Sequence, residues 1–244
     1  MIRSLRECGW FALDKFGEWN RALEMARLMR GKFLGAKVHA LEYGEVSPWS
    51  IIANLQDLGY QVWIDDKQSD IPSIVGSVVA SLARGGADLV SVYADESTET
   101  IGAAVAAYRG VSIEECVRRI PGLGIVAISI LTSTPPSSAS ITYRRTIEAR
   151  VVEVAKLASA VGAYGIVCSA QEARAVKDAY PEFPSFTPGI RSKGAAKGDH
   201  YRTGTLSAAV RNGSRYPVIG TEITRAANPL AEYERLENEI ASVP

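Results

Sequence analysis

Short apolar runs recur along the chain and predict β-strands that are buried on both faces. Each run is too short for a helix, and most lack the strict alternation of apolar and polar residues that marks a half-buried strand. Eight such runs occur, at residues 10–13, 33–38, 62–64, 89–92, 125–131, 165–167, 185–187 and 217–219.

Amphipathic stretches separate these runs and predict helices. In the first of them, Leu23, Ala26 and Met29 recur at helical spacing. Two others begin near a proline, which the first turn tolerates because the missing N–H would have no partner there. A regular alternation of strand and helix indicates a parallel sheet. The predicted helices cover residues 19–29, 48–58, 72–82, 150–161 and 170–180.

Eight strand–helix units in 244 residues fit a (β/α)8 (TIM) barrel, which typically has about 250 residues. A doubly wound α/β fold is the alternative. It would normally carry a glycine-rich nucleotide turn, and the sequence has neither G-x-G-x-x-G nor a P-loop. No linker-like change of composition divides the chain, so we expect one barrel domain over residues 1–244.

Two long loops, residues 132–142 and 189–205, follow the fifth and seventh predicted strands. In a barrel both would lie at the C-terminal face, where active sites occur. Their content of Gly, Ser and Pro suits moving lids, with ordinary surface loops as the alternative.

Composition narrows the class of protein. With 47% hydrophobic and 22% charged residues the chain is not disordered, and 27 basic residues balance 27 acidic ones. A neutral chain without basic runs is not expected to bind nucleic acid or an anionic membrane. No apolar run approaches a membrane span, and the N-terminal segment does not resemble a secretion signal.

Cysteine and histidine usage argues against disulfides and metals. Cys8, Cys116 and Cys168 are scattered and odd in number, which favours a reducing compartment and therefore the cytoplasm. His39 and His200 have no partner at metal-ligand spacing, so we expect no metal site. Neither histidine is accompanied by the G-x-S-x-G turn of a serine hydrolase.

Charged residues at the ends of two neighbouring strands are the candidate chemistry. Asp65 and Lys67 follow the third predicted strand, and residues i and i+2 of a strand point the same way. Asp70 follows at the start of the loop, and Lys37 ends the second strand. The four would alternate in sign at the barrel mouth, unless the segment is a solvated charged loop.

The string D-x-K-x-x-D-I-P at residues 65–72 resembles the signature of the orotidine 5′-phosphate decarboxylase family. D-x-K-x-x-D alone also occurs in sugar-phosphate members of the wider superfamily, but the sixth-strand and P-G-I-R segments favour the orotidine branch. The other similar segments, in order, are residues 12–14 (A-L-D), 36–38 (A-K-V), 131–134 (L-T-S-T), 165–172 (G-I-V-C-S-A-Q-E), 187–191 (T-P-G-I-R) and 198–199 (G-D) with Arg202.

The resemblance implies a homodimeric barrel with its active sites at the subunit interface, and decarboxylation without a cofactor. Lys67 would stabilise the carbanion at C6 and supply the proton. Asp70 would lie near the substrate carboxylate, raising its energy by repulsion, and would reach the partner's site. Lys37 and Asp65 would complete the array and contact the ribose.

The resemblance also implies binding residues for the rest of a nucleotide. Asp14 would bind ribose hydroxyls. One of Thr132, Ser133 and Thr134 would hydrogen-bond the pyrimidine edge. A phosphate could bind backbone N–H groups near Pro188 and Gly189 and at Gly220 and Thr221, helped by His200.

Several positions depart from the family pattern. Thr221 replaces the arginine of the family's V-G-R, and Arg225 is not expected to substitute from the same direction. His200 replaces the glutamine of G-D-Q. The remaining departures are His39 in place of a small residue, Ile74 in place of threonine, Tyr93 in place of histidine, and A-D-E-S at residues 94–97 in place of glycines.

Three functions are compatible with these residues. The first is decarboxylation of orotidine 5′-phosphate to UMP in pyrimidine biosynthesis. The second is decarboxylation of a modified or non-phosphorylated nucleoside acid in a specialised pathway, which the departures would explain. The third is a non-catalytic relative that binds a nucleotide. Unpaired buried charges are costly without a use, so retention of the charged residues argues against the third.

Overall fold

The computed structural model describes residues 4–94, 98–111, 123–195 and 198–243, in which eight parallel strands form a closed barrel. The predicted (β/α)8 barrel is therefore confirmed, and each strand overlaps a predicted apolar run. The strands are β1 (Trp10–Ala12), β2 (Gly35–Val38), β3 (Gln61–Gln68), β4 (Leu89–Tyr93), β5 (Ile125–Ile128), β6 (Gly165–Val167), β7 (Ser185–Thr187) and β8 (Tyr216–Ile219).

Helices connect the strands, and the five predicted helices are all present with shifted ends. The helices are α1 (Leu5–Cys8), α2 (Trp19–Leu28), α3 (Pro48–Asp57), α4 (Pro72–Arg84), α5 (Thr98–Gly110), α6 (Pro136–Tyr143), α7 (Ile147–Ala160), α8 (Ala173–Ala179), α9 (Leu206–Arg211), α10 (Thr221–Thr224) and α11 (Pro229–Ala241). A 3-10 helix, Ala40–Tyr43, follows β2.

The loop predicted at residues 132–142 is wrong in part, because α6 occupies most of it. The sequence hides this helix since its residues are small and polar and lack an apolar periodicity. Its Pro136 occupies the first position, where proline is tolerated. The predicted lid is thus a short turn followed by a helix. Of the other predicted lid, residues 196 and 197 lie outside the described residues.

The strands pair in sequence order, and β1 closes the barrel against β8 through Trp10↔Val218 and Phe11↔Ile219. Because all strands are parallel, their C-terminal ends meet at one face of the barrel. Lys37 and Trp63 are register partners on β2 and β3, so the residues after Trp63 continue into the space beside Lys37.

Aromatic side chains fill the lower part of the barrel. The ring centroids of Trp10 and Trp63 are 5.6 Å apart, and those of Trp63 and Phe186 are 5.1 Å apart. Gly35 allows this packing, since a Cβ there would lie 2.5 Å from the Trp10 ring. On the inward face of β3, the aromatic Trp63 is followed two residues later by the charged Asp65. The charged residues therefore lie directly above the apolar core.

The helices pack around the barrel in a second apolar layer. Ser47, Thr146 and Thr205 cap the N-termini of α3, α7 and α9 through their hydroxyl oxygens. None of the described helices is long and apolar enough to cross a membrane.

Two cysteines pack in these layers as buried free thiols. Burial raises the pKa of Cys8 to about 12, and burial followed by the charge of Glu172 raises the pKa of Cys168 further, so both stay protonated. Cys116 lies outside the described residues.

Candidate active site

A cavity of about 640 Å³ opens at the C-terminal face of the barrel. Asp70 and Thr134 are not on its wall, although the sequence grouped them with the site. The residues singled out from the sequence that do line it are Asp14, Lys37, Asp65, Lys67, Thr132, Ser133, Pro188, Gly189, His200, Gly220 and Thr221.

Four of these residues form a continuous ion-paired chain, which we call the charged array: Asp14, Lys37, Asp65 and Lys67. Lys37 Nζ lies 2.7 Å from Asp14 Oδ2 and 2.9 Å from Asp65 Oδ2. Lys67 Nζ lies 3.0 Å from the same Asp65 oxygen. Asp65 therefore bridges the two ammonium groups, and the signs alternate along the array.

Lys37 and Asp65 stay ionised because the opposite charges beside them together have a larger effect on their pKa values than burial does. Burial alone would lower the pKa of Lys37, but the carboxylates of Asp14 and Asp65 raise it well above the ordinary value. Burial alone would raise the pKa of Asp65, but Lys37, then Lys67, reverse this and hold it well below the ordinary value. Both side chains are therefore charged throughout the neutral range.

A hydrogen-bond chain from the barrel core fixes Asp65. Trp63 Nε1 donates to Ser91 Oγ (2.8 Å), and the Ser91 hydroxyl donates to Asp65 Oδ1 (2.6 Å). Ser91 is buried on β4. Ser91 is not among the site residues predicted from the sequence. The feature that could have identified it is a lone serine within the apolar run at residues 89–92.

Lys67 has an unusual backbone, with φ of 49° in the left-handed region. Non-glycine residues rarely adopt it, and such strain is concentrated at functional positions. The pairing of β3 with β4 also shifts register between Ile64 and Gln68. The end of β3 is thus bent while the Lys67 ammonium stays against Asp65.

His39 joins the array from the end of β2. Its Nε2 lies 2.9 Å from Lys67 Nζ and 3.4 Å from Asp65 Oδ2. Burial, followed by the charge of Lys37, lowers the pKa of His39, so the ring is neutral at pH 7. The sequence marked this position only as a departure from the family pattern.

Asp70 lies apart from the array on the exposed start of the loop after β3. Its Oδ1 accepts a hydrogen bond from the backbone N–H of Ile71 (2.7 Å). The side chain is exposed and does not line the cavity of its own chain. The structure therefore brings together three of the four predicted catalytic residues.

Three further cationic side chains line the same cavity, and we call Arg191, Arg225 and Lys15 the cationic rim. Arg191 is 8% exposed, and its Nε has no hydrogen-bond partner among the described residues. Burial, together with the nearby charge of Arg225, lowers the pKa of Arg191, while Glu222 opposes this. Lys15 pairs with Asp199 across the cavity mouth.

The rim adds two arginines to the candidate site. Arg225 lies on the cavity wall, four residues after Thr221; that it does not replace the family's arginine from the same direction stays a prediction. Arg191 was quoted only as part of T-P-G-I-R, and that string was the signal that could have assigned it.

The loops after β5 and β7 are tied together beside the rim. The Thr132 hydroxyl and His200 Nδ1 lie 2.5 Å apart, and Thr132 O accepts from the backbone N–H of Tyr201 (3.0 Å). Gly189 lies beside this contact with φ of 78°, a conformation that favours glycine, and a Cβ there would lie 3.1 Å from the Arg202 carbonyl oxygen. Burial lowers the pKa of His200, so this ring is also neutral at pH 7.

A buried ion pair fixes the same two loops from below. Arg202 Nε lies 3.1 Å from Glu172 Oε1. The Arg202 guanidinium also donates to the carbonyl oxygens of Ile130, Leu131 and Thr134. Thr134 therefore contributes its backbone to the loop and does not reach the cavity, whereas Thr132 and Ser133 line it.

A larger cavity, of about 1020 Å³, lies at the opposite end of the barrel. Its wall is formed around the N-terminal ends of β5 to β8, including Tyr164 and Tyr216, whose hydroxyls are 2.8 Å apart. In TIM barrels, active sites lie at the C-terminal ends of the strands. No residue of the charged array lines this second cavity. Size alone therefore does not identify the site. In the described ranges, no group of three His, Cys, Asp or Glu side chains could hold a metal ion.

Known proteins resemble this chain in sequence and in architecture. Orotidine 5′-phosphate decarboxylase of Idiomarina loihiensis is 37% identical over 219 residues, covering 88% of this chain and 90% of the relative. The enzyme of the same name from Cutibacterium acnes is 34% identical over 223 residues, covering 89% and 90%.

Among solved structures, an uncharacterized conserved protein from Geobacillus kaustophilus matches with a TM-score of 0.76 and 31% identity, covering 95% of this chain and 99% of that one. Orotidine 5′-phosphate decarboxylase from Lactobacillus acidophilus has the same fold, with a TM-score of 0.76 and 24% identity over 97% and 100% of the two chains. The model of the orotidine 5′-phosphate decarboxylase / HUMPS family matches residues 11–236, and the chain therefore belongs to this family.

Proposed function

We propose that the protein decarboxylates orotidine 5′-phosphate, or a close nucleotide relative, through a carbanion at C6 of the pyrimidine. The observation that carries this proposal is the Lys67 ammonium on the cavity wall, held 3.0 Å from the buried Asp65. A fixed cation beside the reacting carbon stabilises negative charge only as it develops, which is the condition for catalysis.

The proposed reaction breaks the bond between C6 and the carboxylate carbon. The electron pair stays on C6, and CO2 leaves. The Lys67 ammonium attracts the developing charge and then gives C6 a proton, leaving a neutral amine that solvent reprotonates. No oxidation or reduction occurs, so the chemistry needs no redox group, and we propose that neither a cofactor nor a metal takes part.

The remaining cavity residues suit the rest of a nucleotide. Asp14 Oδ1 is buried without a hydrogen-bond partner in the described chain and suits a ribose hydroxyl. Thr132 and Ser133 are the hydroxyls available to the base. Arg191, Arg225 and the backbone near Gly189, Gly220 and Thr221 suit a phosphate, to which charge-assisted bonds contribute about 1.5–3 kcal/mol each.

The test is to follow the ultraviolet absorbance of orotidine 5′-phosphate and of orotidine, side by side, on addition of the protein. Efficient loss of the phosphorylated substrate, with slow loss of orotidine, is the expected result. Turnover of neither compound by the folded protein would contradict the proposal.

A second candidate is decarboxylation of a different nucleoside acid. The observation that favours it is Thr221 at the position of the family's arginine, in a cavity whose Arg225 comes from further along the chain. In that case orotidine would be used as well as orotidine 5′-phosphate, or neither would be used. The expected argument against a non-catalytic role was the cost of unpaired buried charges; since Lys37, Asp65 and Lys67 pair with one another, that cost does not separate the two roles, and the turnover assay does.

We also propose a homodimer in which Asp70 completes the partner's site. Asp70 is exposed and does not line its own cavity. Three exposed apolar residues belong to the same region. Ile71 and Ile74 follow Asp70 in the chain, and the backbone N–H of Leu41 donates to Asp66 Oδ1 at the end of β3. An exposed apolar patch beside a charged residue suits contact with a second copy.

Mixing two inactive variants tests this arrangement. Lys67→Ala and Asp70→Ala proteins are each expected to be inactive. If Asp70 acts across the interface, heterodimers contain one complete site, and an equal mixture should regain about a quarter of wild-type activity. Mixing Lys67→Ala with Lys37→Ala is the control and should regain nothing. No recovery with Asp70→Ala would contradict the shared site.

For its place in the cell, we propose pyrimidine nucleotide synthesis in the cytoplasm, with UMP as the product. The buried reduced thiols of Cys8 and Cys168 agree with a reducing compartment.

A further inference from the structure

The ammonium of Lys67 is fully hydrogen-bonded before any substrate is present. Its three N–H groups have three acceptors: Asp65 Oδ2 at 3.0 Å, the Asp65 carbonyl at 3.2 Å and His39 Nε2 at 2.9 Å. His39, the residue after β2, is the acceptor that comes from another segment of the chain. A lysine side chain rotates freely about four bonds, so an acceptor beyond the end of β2 restricts its direction at the cavity wall.

The surroundings of His39 determine which role the ring can take. Lys37 on its own strand, Asp14 after β1, and Asp65 and Lys67 on β3 all act on it electrostatically. The side chain is 32% exposed. A neutral ring accepts from Lys67 only through an unprotonated Nε2, so the ring proton is on Nδ1. A protonated ring would instead donate to Asp65 Oδ2 and repel the Lys67 ammonium.

We propose that His39 is a positioning residue for Lys67: in its neutral form it accepts one N–H and holds the ammonium at the cavity wall until that N–H turns to the substrate, and on protonation it releases the ammonium. The inference rests on the proposed function for its effect on rate. Its physical basis is preorganisation, because the charge is already in place at the cavity wall and only the N–H bonded to His39 has to change partner as charge develops on the substrate. The direction of the pKa shift of His39, downward, agrees with a ring kept neutral at pH 7.

The contact itself is tested without any assay of activity. The chain has two histidines, so the imidazole nitrogen NMR signals of wild-type protein and of His200→Asn assign His39 directly. Across a pH titration the wild-type ring should show the Nδ1–H tautomer and a pKa below the ordinary 6.5.

Replacing the cation supplies the decisive comparison. Lys67→Met removes both the donor and the positive charge, so the pKa of His39 should move upward and its Nε2 signal should shift. Lys156→Met carries the same substitution on the exposed face of α7 and should leave His39 unchanged. A His39 titration unaffected by Lys67→Met would overturn the proposal.

The effect on catalysis is tested with two variants of His39. His39→Gln keeps an acceptor near the position of Nε2 and cannot titrate, whereas His39→Leu keeps the bulk and removes the acceptor. His39→Leu should lower kcat about 10- to 100-fold with less than about a threefold change in KM, because the variant loses the positioning of the Lys67 ammonium and no contact with the substrate. His39→Gln should keep most of kcat and lose the acid limb of its pH profile. Matching circular dichroism and Tm values verify folding.

Two outcomes separate the proposals. A wild-type kcat and acid limb in His39→Leu would overturn the positioning role while leaving decarboxylation intact. Absence of turnover in wild-type protein would contradict the proposed function, and the imidazole titration would still decide whether Lys67 is held by His39.

Discussion

The charged array and the cationic rim differ in how their charged groups are paired. In the charged array, each ammonium lies within 3.0 Å of a carboxylate oxygen, and Asp65 is further fixed by Ser91. In the cationic rim, Arg191 keeps an unpaired buried Nε. The Arg225 side chain makes no hydrogen bond to any residue that the structure describes.

This difference separates chemistry from binding. An array whose charges satisfy each other is fixed before the substrate arrives, as electrostatic preorganisation requires. Arg191 is the buried member of the rim: its Nη1 donates to the Ile190 carbonyl, while its Nε has no partner among the described residues. A buried donor without a partner is costly, so Arg191 indicates that an anion from outside completes the rim. The departures from the family pattern at Thr221 and His200 also fall at the rim, where a change alters recognition and leaves the array intact.

The largest effect is expected from breaking the array. Lys67→Ala should lower the decarboxylation rate about 1,000-fold or more, because it removes the cation that faces the developing carbanion. The measurement is kcat from the loss of ultraviolet absorbance. Lys156→Ala, on the exposed face of α7, should match wild type. A loss of tenfold or less in Lys67→Ala would contradict the proposed mechanism.

A smaller effect is expected at the rim, and on affinity. Arg191→Gln should weaken UMP binding about 10- to 100-fold, corresponding to about 1.5–3 kcal/mol for a lost charge-assisted bond. Uridine has no phosphate and should bind both proteins equally. Titration calorimetry measures both ligands, and Arg211→Gln, at the opposite end of the barrel, is the matched control. Equal weakening for uridine would show that Arg191 does not contact the phosphate.

Restoring the family's arginine should have the opposite sign. Thr221→Arg is expected to tighten UMP binding by up to about tenfold, the value of one further charge-assisted contact. Thr221→Val removes the hydroxyl without adding charge and should change the affinity little. Unchanged or weaker binding of UMP by Thr221→Arg would mean that the rim is not a phosphate site lacking one ligand.

The smallest effect is the dependence of stability on pH. The pKa values of His39 and His200 are both lowered from 6.5 by burial. The unfolded chain therefore binds more protons than the folded one as pH falls below about 7. Between pH 7.5 and about 5.5, above the range in which ordinary carboxylates titrate, the free energy of unfolding should decrease on acidification.

Urea unfolding at several pH values measures this decrease. His39→Gln should remove the part of the decrease that His39 contributes, and His200→Asn the part that His200 contributes. A stability that rises on acidification, or a decrease that survives in the double variant, would contradict the assignment.

Local residue pattern determined much of this protein. Apolar runs too short for helices identified all eight strands, because strands covered on both faces need continuous apolar sequence. The spacing of Asp65 and Lys67 on one strand predicted that they project together, since side chains alternate along a strand. Helix α6 escaped prediction because its small polar residues carry no periodicity; capping and packing decide such helices.

The tertiary structure decided what depends on distance between segments remote in sequence. The hydrogen bond from Ser91 of β4 to Asp65, the contact of His39 after β2 with Lys67, and the position of Arg225 on the cavity wall all follow from closing the barrel. Sequence alone specifies which charges the chain carries and on which elements. Only the closed barrel, which sets the strand ends side by side around one cavity, determines which charges neutralise each other and which are left for a ligand.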